Sequence, residues 1–156
     1  MIKIEKYKLF VNSKDFEFLF KQAEYELRHS KVPYIDLIKK YLKICINNQS
    51  ILILYENDKP VGFYIIHIIN KKVDLSFTFI ISKYRKKGYS HLLRVAGIEK
   101  YKNDYNLLEA YILKNNISSL KGLEKILELY KPNYEKKETI DPFGNESYYY
   151  IIRGFR

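Results

Sequence analysis

From Phe77 to Arg94 the chain reads Phe-Thr-Phe-Ile-Ile-Ser-Lys-Tyr-Arg-Lys-Lys-Gly-Tyr-Ser-His-Leu-Leu-Arg, an order of residue types suited to holding an anion. Phe77, Phe79, Ile80 and Ile81 are aromatic or β-branched, and Thr78 fits a pleat as well, so the stretch begins as a strand. Ser82 to Gly88 is polar and cationic and forms a turn. Leu92, Leu93, Ala96 and Gly97 then recur at helical spacing. A helix that starts from such a turn offers the unpaired N–H groups of its first turn, at the positive end of its dipole. Gly88 has no Cβ, so a phosphate can come close to the backbone, and Arg85, Lys86 and Lys87 surround it with full charges.

The remaining reactive residue types suggest less. Cys45, the one cysteine, excludes an intrachain disulfide; it lies in an apolar stretch away from any histidine and reads as a buried structural thiol. His29, His67 and His91 are scattered without ligand spacing, so no metal is expected. The formal charge of +10 favours phosphorylated or polyanionic ligands and says nothing about fold. Met1 to Lys8 lacks an apolar signal core and no run is long enough to span a bilayer, so a cytoplasmic protein with no membrane partner is expected. Sixteen Tyr and nine Phe in 156 residues argue against disorder and for one domain over 1–156 with its own core.

The elements that position these residues follow from pattern. Ile2 to Val11 reads as a first strand, with Ile2, Ile4, Leu9 and Val11 apolar. Asn12 to Asp15 is a turn and helix cap. Phe16 to Arg28 and Tyr34 to Ile46 are amphipathic helices separated at Val32-Pro33. Ile51–Tyr55, Val61–Asn70 and Val73–Ile81 read as consecutive antiparallel strands. A helix over Gly88–Tyr101, a strand over Leu107–Leu113 and a helix over Asn116–Tyr130 follow. Pro132–Ile140 and Tyr148–Arg153 close the chain as strands. The order β-α-α-β-β-β-α-β-α-β-β implies a mixed sheet in an α/β or α+β layer structure.

That order, with Arg85-Lys86-Lys87-Gly88-Tyr89-Ser90, resembles the GNAT superfamily of acetyl-CoA-dependent N-acetyltransferases. The family's signature is Arg or Gln, two residues, Gly, one residue, then Gly or Ala; Ser90 stands at the last place and is also small. Ile80 to Arg85 is similar to the family's Val-x-Pro-x-x-Arg approach, and Asn116 to Ser119 with Glu124-Lys125 is similar to its second motif. The likeness covers residues 50 to 130 by motif and the two ends by pattern. It implies a mostly antiparallel central sheet flanked by helices, with acetyl-CoA as co-substrate and no metal. It further implies that the strands on either side of the basic turn's helix splay apart and take the pantetheine arm between them. Phe79, Ile80 and Ile81 would then offer backbone groups to that arm, and the amides from Lys86 to His91, through Lys87, Gly88, Tyr89 and Ser90, would hold the pyrophosphate. Asn116 would bond the arm, with Ser119 packed close. Plainer readings stand beside these: Lys86 and Lys87 as a solvated turn, Arg85 paired with a carboxylate, Asn116 as a helix cap, Tyr89 as wall packing.

Acetylating an amine requires removing its proton, positioning it, and holding the developing oxyanion. The free strand N–H near Ile80 suits the oxyanion. Period-two alternation puts Asp74, Ser76 and Thr78 on one strand face. Family members often carry a Glu near the level of Ser76; here Asp74, acting through water with Ser76, is the substitute, or else simply an exposed residue beside a hairpin. The family's acid, a Tyr seven residues past the motif Asn, falls on Leu123. Tyr111, Tyr130 or one of Tyr148 to Tyr150 would replace it, unless they are core aromatics.

Three functions fit these residues. One is an N-acetyltransferase acting by direct attack in a ternary complex, its amine acceptor a small molecule, a protein or an aminoacyl-tRNA. The second is a nucleic-acid-associated protein, including an RNA-directed acetyltransferase of toxin type, using Lys136-Lys137 and Tyr148 to Arg156. The third is a non-catalytic acyl-CoA-binding or interaction module. A monomer fits as well as a homodimer paired through an edge strand such as Tyr148–Arg153.

Overall fold

The computed structural model describes residues 1–155. Seven strands and four helices follow in the expected order: β1 (Ile2–Lys6), α1 (Ser13–Leu27), α2 (Tyr34–Asn47), β2 (Ile51–Glu56), β3 (Lys59–Ile69), β4 (Lys72–Ile80), α3 (Tyr89–Tyr101), β5 (Leu107–Leu113), α4 (Ile117–Tyr130), β6 (Tyr134–Ile140) and β7 (Glu146–Ile152). The strands hydrogen-bond in the order β1-β2-β3-β4-β5-β7-β6, a mixed, mostly antiparallel sheet flanked by helices. The parallel ladder, β4 with β5, has two pairs, Lys72 with Leu107 and Val73 with Leu108. The chain sorts into two compact units.

The first unit comprises Met1–His67 and Leu75–Gly97. Its core joins Phe16, Leu19, Phe20 and Ala23 of α1, and Ile35, Ile38 and Cys45 of α2, to Ile51, Ile53, Phe63, Ile65 and Phe79 of the sheet. Phe63 is the hub, with the rings of Phe16 and Phe79 at 5.2 Å and 5.7 Å. Cys45 is fully buried and donates to the Ile66 carbonyl; burial pushes its thiol up to about 11. Strand β1 is shorter than its sequence suggests. It ends at Lys6, and Leu9, Phe10 and Val11 stand in a turn, all exposed. Nor does the Asn12 side chain cap α1. It is buried and turned back, donating to the Lys6 carbonyl and accepting from the Lys8 amide, so its polar atoms close the turn instead.

The second unit comprises Ile68–Asp74 and Ile98–Arg156, described as far as Phe155. Strand β7 lies between β5 and β6, paired on both sides, from Leu108 with Ile152 to Leu113 with Ser147 and from Tyr134 with Ile152 to Ile140 with Glu146. It is therefore not an edge available to a second copy; that position belongs to β6. Helix α4 starts at Asn116, whose side chain accepts from the Ser119 amide, and ends on Lys131 in the left-handed region.

In the first unit, α3 lies against β3 where there is no room for a side chain. A Cβ on Gly97 would fall 2.5 Å from Tyr64 Cε1 and 2.6 Å from its Cζ, and that ring is buried. Alanine in a helix interior ordinarily gains up to about 1 kcal/mol over glycine. Here the overlap should outweigh the gain, because forcing an extra carbon into a packed site costs about 1–3 kcal/mol. Gly97→Ala is therefore expected to lower the urea unfolding midpoint with an unchanged m-value.

Candidate active site

The basic turn lies wholly within the first unit. Strand β4 ends as the Ile81 amide donates to the Val61 carbonyl at 2.9 Å. A short 3-10 turn over Ser82–Tyr84 reverses the chain. Arg85 is extended, whereas Lys86 (φ +66°) and Gly88 (φ +80°) are left-handed. Two left-handed residues on either side of Lys87 turn successive N–H groups to one side and make a concave donor array. Gly88 is suited to that conformation; Lys86 adopts it at a cost of order 1 kcal/mol. The first α3 amide to reach a carbonyl is that of Leu92, on Gly88 at 3.1 Å. The amides of Lys86, Gly88, Tyr89, Ser90 and His91 have no backbone acceptor among the described residues, whereas that of Lys87 closes the turn over Arg85 and Lys86. His91 Nδ1, in the same turn, is buried and unpartnered. A Cβ on Gly88 would meet nothing within 4 Å, so the space before the turn is open. These features fit the diphosphate of a coenzyme A ester.

The turn's charged side chains are held from the side. Arg85 Nε donates to the Ile80 carbonyl at 2.8 Å, and its Nη2 pairs with Glu26 of α1. Glu56, the last residue of β2, accepts from the Tyr89 hydroxyl and, at 3.2 Å, from Lys87 Nζ. The Tyr89 hydroxyl bond, with Lys87 beside it, holds the Glu56 carboxyl below its ordinary range despite partial burial. Both carboxylates therefore fix side chains and leave the backbone donors free. Arg85 acts as a brace, and the exposed Lys83 and Lys86 of the turn have no carboxylate partner among the described residues. Glu26 and Glu56 were invisible to sequence reasoning, since they lie 59 and 31 residues from the side chains they hold.

The backbone at the end of β4 is divided. The Phe79 carbonyl oxygen lies 2.6 Å from where a Gly62 Cβ would stand, so Phe79 faces β3, as does Ile81 through Val61. Strand alternation turns Ile80 the other way. Its carbonyl is taken by Arg85, which leaves its N–H as the available donor among the three. Ser76 Oγ donates to the Tyr64 hydroxyl at 3.4 Å. Burial pushes that hydroxyl up to about 12.

Asp74, Tyr111, Asn116 and Ser119 belong to the second unit. Asp74 lines an open pocket with Lys72, Asn106 and Leu107. Tyr111 is 44 % exposed and stacks on Tyr149, centroids 4.6 Å apart and planes at 25°. Glu109, one pleat before Tyr111, is paired with Lys72 at 3.1 Å and bonded to the Tyr149 hydroxyl. Those two contacts outweigh its burial and hold its carboxyl low, while burial and Glu109 push Tyr149 up to about 12. Asn116 Oδ1 is spent on the Ser119 amide. Lys136 Nζ lies 4.3 Å from the centre of the Tyr148 ring, so this basic–aromatic pair is folded on itself. Arg156, the end of that segment, lies outside the described residues.

The sequence matches the family model of the acetyltransferase (GNAT) family over residues 13–128. No curated protein matches it in sequence. In fold it is similar to a ribosomal-protein-alanine N-acetyltransferase from Brucella melitensis, with a TM-score of 0.72 at 13% identity over 98% of this chain and 99% of that one. An N-acetyltransferase from Staphylococcus aureus aligns with a TM-score of 0.68 at 16% identity over 100% and 99% of the two chains. The PaiA N-acetyltransferase of Thermoplasma acidophilum, solved with coenzyme A, aligns with a TM-score of 0.65 at 16% identity over 96% and 98%.

The low carboxyl of Glu56 makes a prediction about pH. Its contribution to stability should be complete above the ordinary carboxylate value of about 4.3 and vanish as pH falls through the lower folded value. In urea titrations from neutral to acid pH, wild type should lead Glu56→Gln by a constant margin that closes only below that range. A margin independent of pH would contradict the assignment.

Proposed function

The chain belongs to the acetyltransferase (GNAT) family, and from that premise we propose that it binds acetyl-CoA at the turn Lys86–His91 and moves the acetyl group to the nitrogen of a primary amine. As a family member it is an acyltransferase. One observation carries the binding reading: the amides of Lys86 and of Gly88 to His91 have no backbone acceptor among the described residues, while the neighbouring side chains are braced by Glu26 and Glu56. Helix N-termini and concave amide arrays favour a doubly charged phosphate group. Lys86 adds a full charge.

The co-substrate supplies an acyl group already activated as a thioester. The chain's residues have to orient it, exclude water and handle protons. The Ile80 N–H, turned away from β3, donates to the carbonyl oxygen as negative charge grows there. Asp74 accepts the proton of the incoming amine through water, assisted by Ser76. Tyr111, a half-exposed residue, gives a proton to the departing sulfur. Asn116 keeps its amide N–H₂ for the pantetheine arm, because only its oxygen is engaged in the cap.

Thermal melting with acetyl-CoA tests the first part. Ligand at one hundred times its Kd adds about 2.7 kcal/mol to stability, a clear upward shift; a flat response would overturn the reading. Ser90→Asp separates binding from folding, since an acidic residue in the first turn of a helix stabilises it but repels a phosphate. The variant should keep its melting temperature without ligand and lose at least about tenfold in acetyl-CoA affinity. For the chemistry, Asp74→Asn and Tyr111→Phe should each lower kcat by about 10²-fold in thiol release with an accepted amine, with KM for acetyl-CoA unchanged.

A further inference from the structure

The turn between β1 and α1 shows three consecutive large apolar residues to solvent, with Leu9 58% exposed, Phe10 97% and Val11 71%. They are not a loose tail. The amides of Val11 and Asn12 both reach the Lys8 carbonyl at 3.0 Å, and the buried Asn12 side chain ties Lys6 to Lys8. The chain thus invests a buried amide in holding an apolar tip away from its own core. Along α1 Lys14, Phe18, Lys21 and Tyr25 recur at intervals of three and four residues, with Val11 in the turn just before the helix and Arg28 just after it, all exposed. Fifteen helical residues extend about 22 Å, so the stripe is an elongated row of alternating bulky and basic side chains that follows directly on the tip in sequence.

The charges on this face lack internal compensation at the tip. Of the nearby carboxylates, Glu5 pairs with Lys3, Asp15 accepts from the Tyr55 hydroxyl and Glu24 pairs with Lys39, all off the face, while Glu17 pairs with Lys21 of the stripe itself. Lys6, Lys8 and Lys14 have no ion-pair partner among the described residues. Arg28 lies over the Tyr25 ring at 4.6 Å and has no carboxylate partner among the described residues. Nucleic acid would complement the lysines but has no use for Leu9 and Val11. An interface with layered polarity, anionic outside and apolar a few ångströms below, complements both at once.

We propose that this face, the Leu9–Val11 tip continued along α1, docks peripherally on an anionic lipid surface, with the tip inserted between headgroups and the lysines against them. This reaches beyond the acetyltransferase reading and does not depend on it. No helix among the described residues is long and apolar enough to cross a membrane, so the contact is superficial.

Co-sedimentation of the full chain with vesicles tests the proposal. The protein should partition onto equimolar phosphatidylserine and phosphatidylcholine and stay in solution with phosphatidylcholine alone. Raising salt from about 0.1 M to about 1 M, which shortens the screening length from about 10 Å to about 3 Å, should weaken the binding. The double substitution Phe10→Ser with Val11→Ser should reduce partitioning at least about tenfold. Because both side chains are solvent-exposed, it should leave the melting temperature and the acetyl-CoA-induced shift as in wild type. Equal binding to both vesicle types, or no loss in the double variant, would overturn the proposal. So would self-association that the same two substitutions abolish, which would make the occupant a second copy.

Discussion

Helix α3 approaches β3 so closely that only glycine fits at position 97, against the buried ring of Tyr64. The first unit is organised by that approach. A helix held by its middle has its N-terminus determined, and with it the direction of its free amides. Strand β4 enters the turn from the adjacent strand position, secured by Ile81 on Val61. The left-handed backbone at Lys86 and Gly88 then closes the few residues left between the two elements. Loosening the contact at Gly97 would shift the first turn of the helix and its donors, even though no residue at the turn had changed.

Around this turn the chain resolves a conflict in charge. Five amides without a backbone acceptor and four cations in one bend repel one another. Carboxylates on the amides would relieve the repulsion and fill the site. Instead Glu26 and Glu56 meet Arg85, Lys87 and the Tyr89 hydroxyl at their side chains. The field is softened while the backbone remains available. Such exposed pairs add little to stability individually, so their importance lies in orientation.

The strand–turn–helix of Phe77 to Arg94 was readable because its signals are local: β-branched and aromatic residues, a cationic run with one glycine, then helical periodicity. The order of all eleven elements followed for the same reason, and Asn116 announced its cap by position. Long-range features were not readable. Nothing near Arg85 in sequence points to Glu26, and nothing near Tyr89 points to Glu56. The apolar letters of Leu9 and Val11 implied a longer β1, because pattern reading assumes that apolar residues face inward. The structure breaks that assumption there, since Asn12 turns its amide back to Lys6 and Lys8 and ends the strand. The role of β7 was missed because its edge or interior status depends on β6 pairing outside it, which alternation within one strand does not reveal.

The buried state of Cys45 has a practical consequence for work on this protein. Its sulfur is enclosed, hydrogen-bonded to Ile66 and far from the thiolate form at neutral pH. A colorimetric disulfide reagent added to the folded chain should therefore report sulfhydryls liberated from coenzyme A with almost no background from the polypeptide. Once the core opens, that same atom becomes a stoichiometric counter of molecules that have lost their native packing.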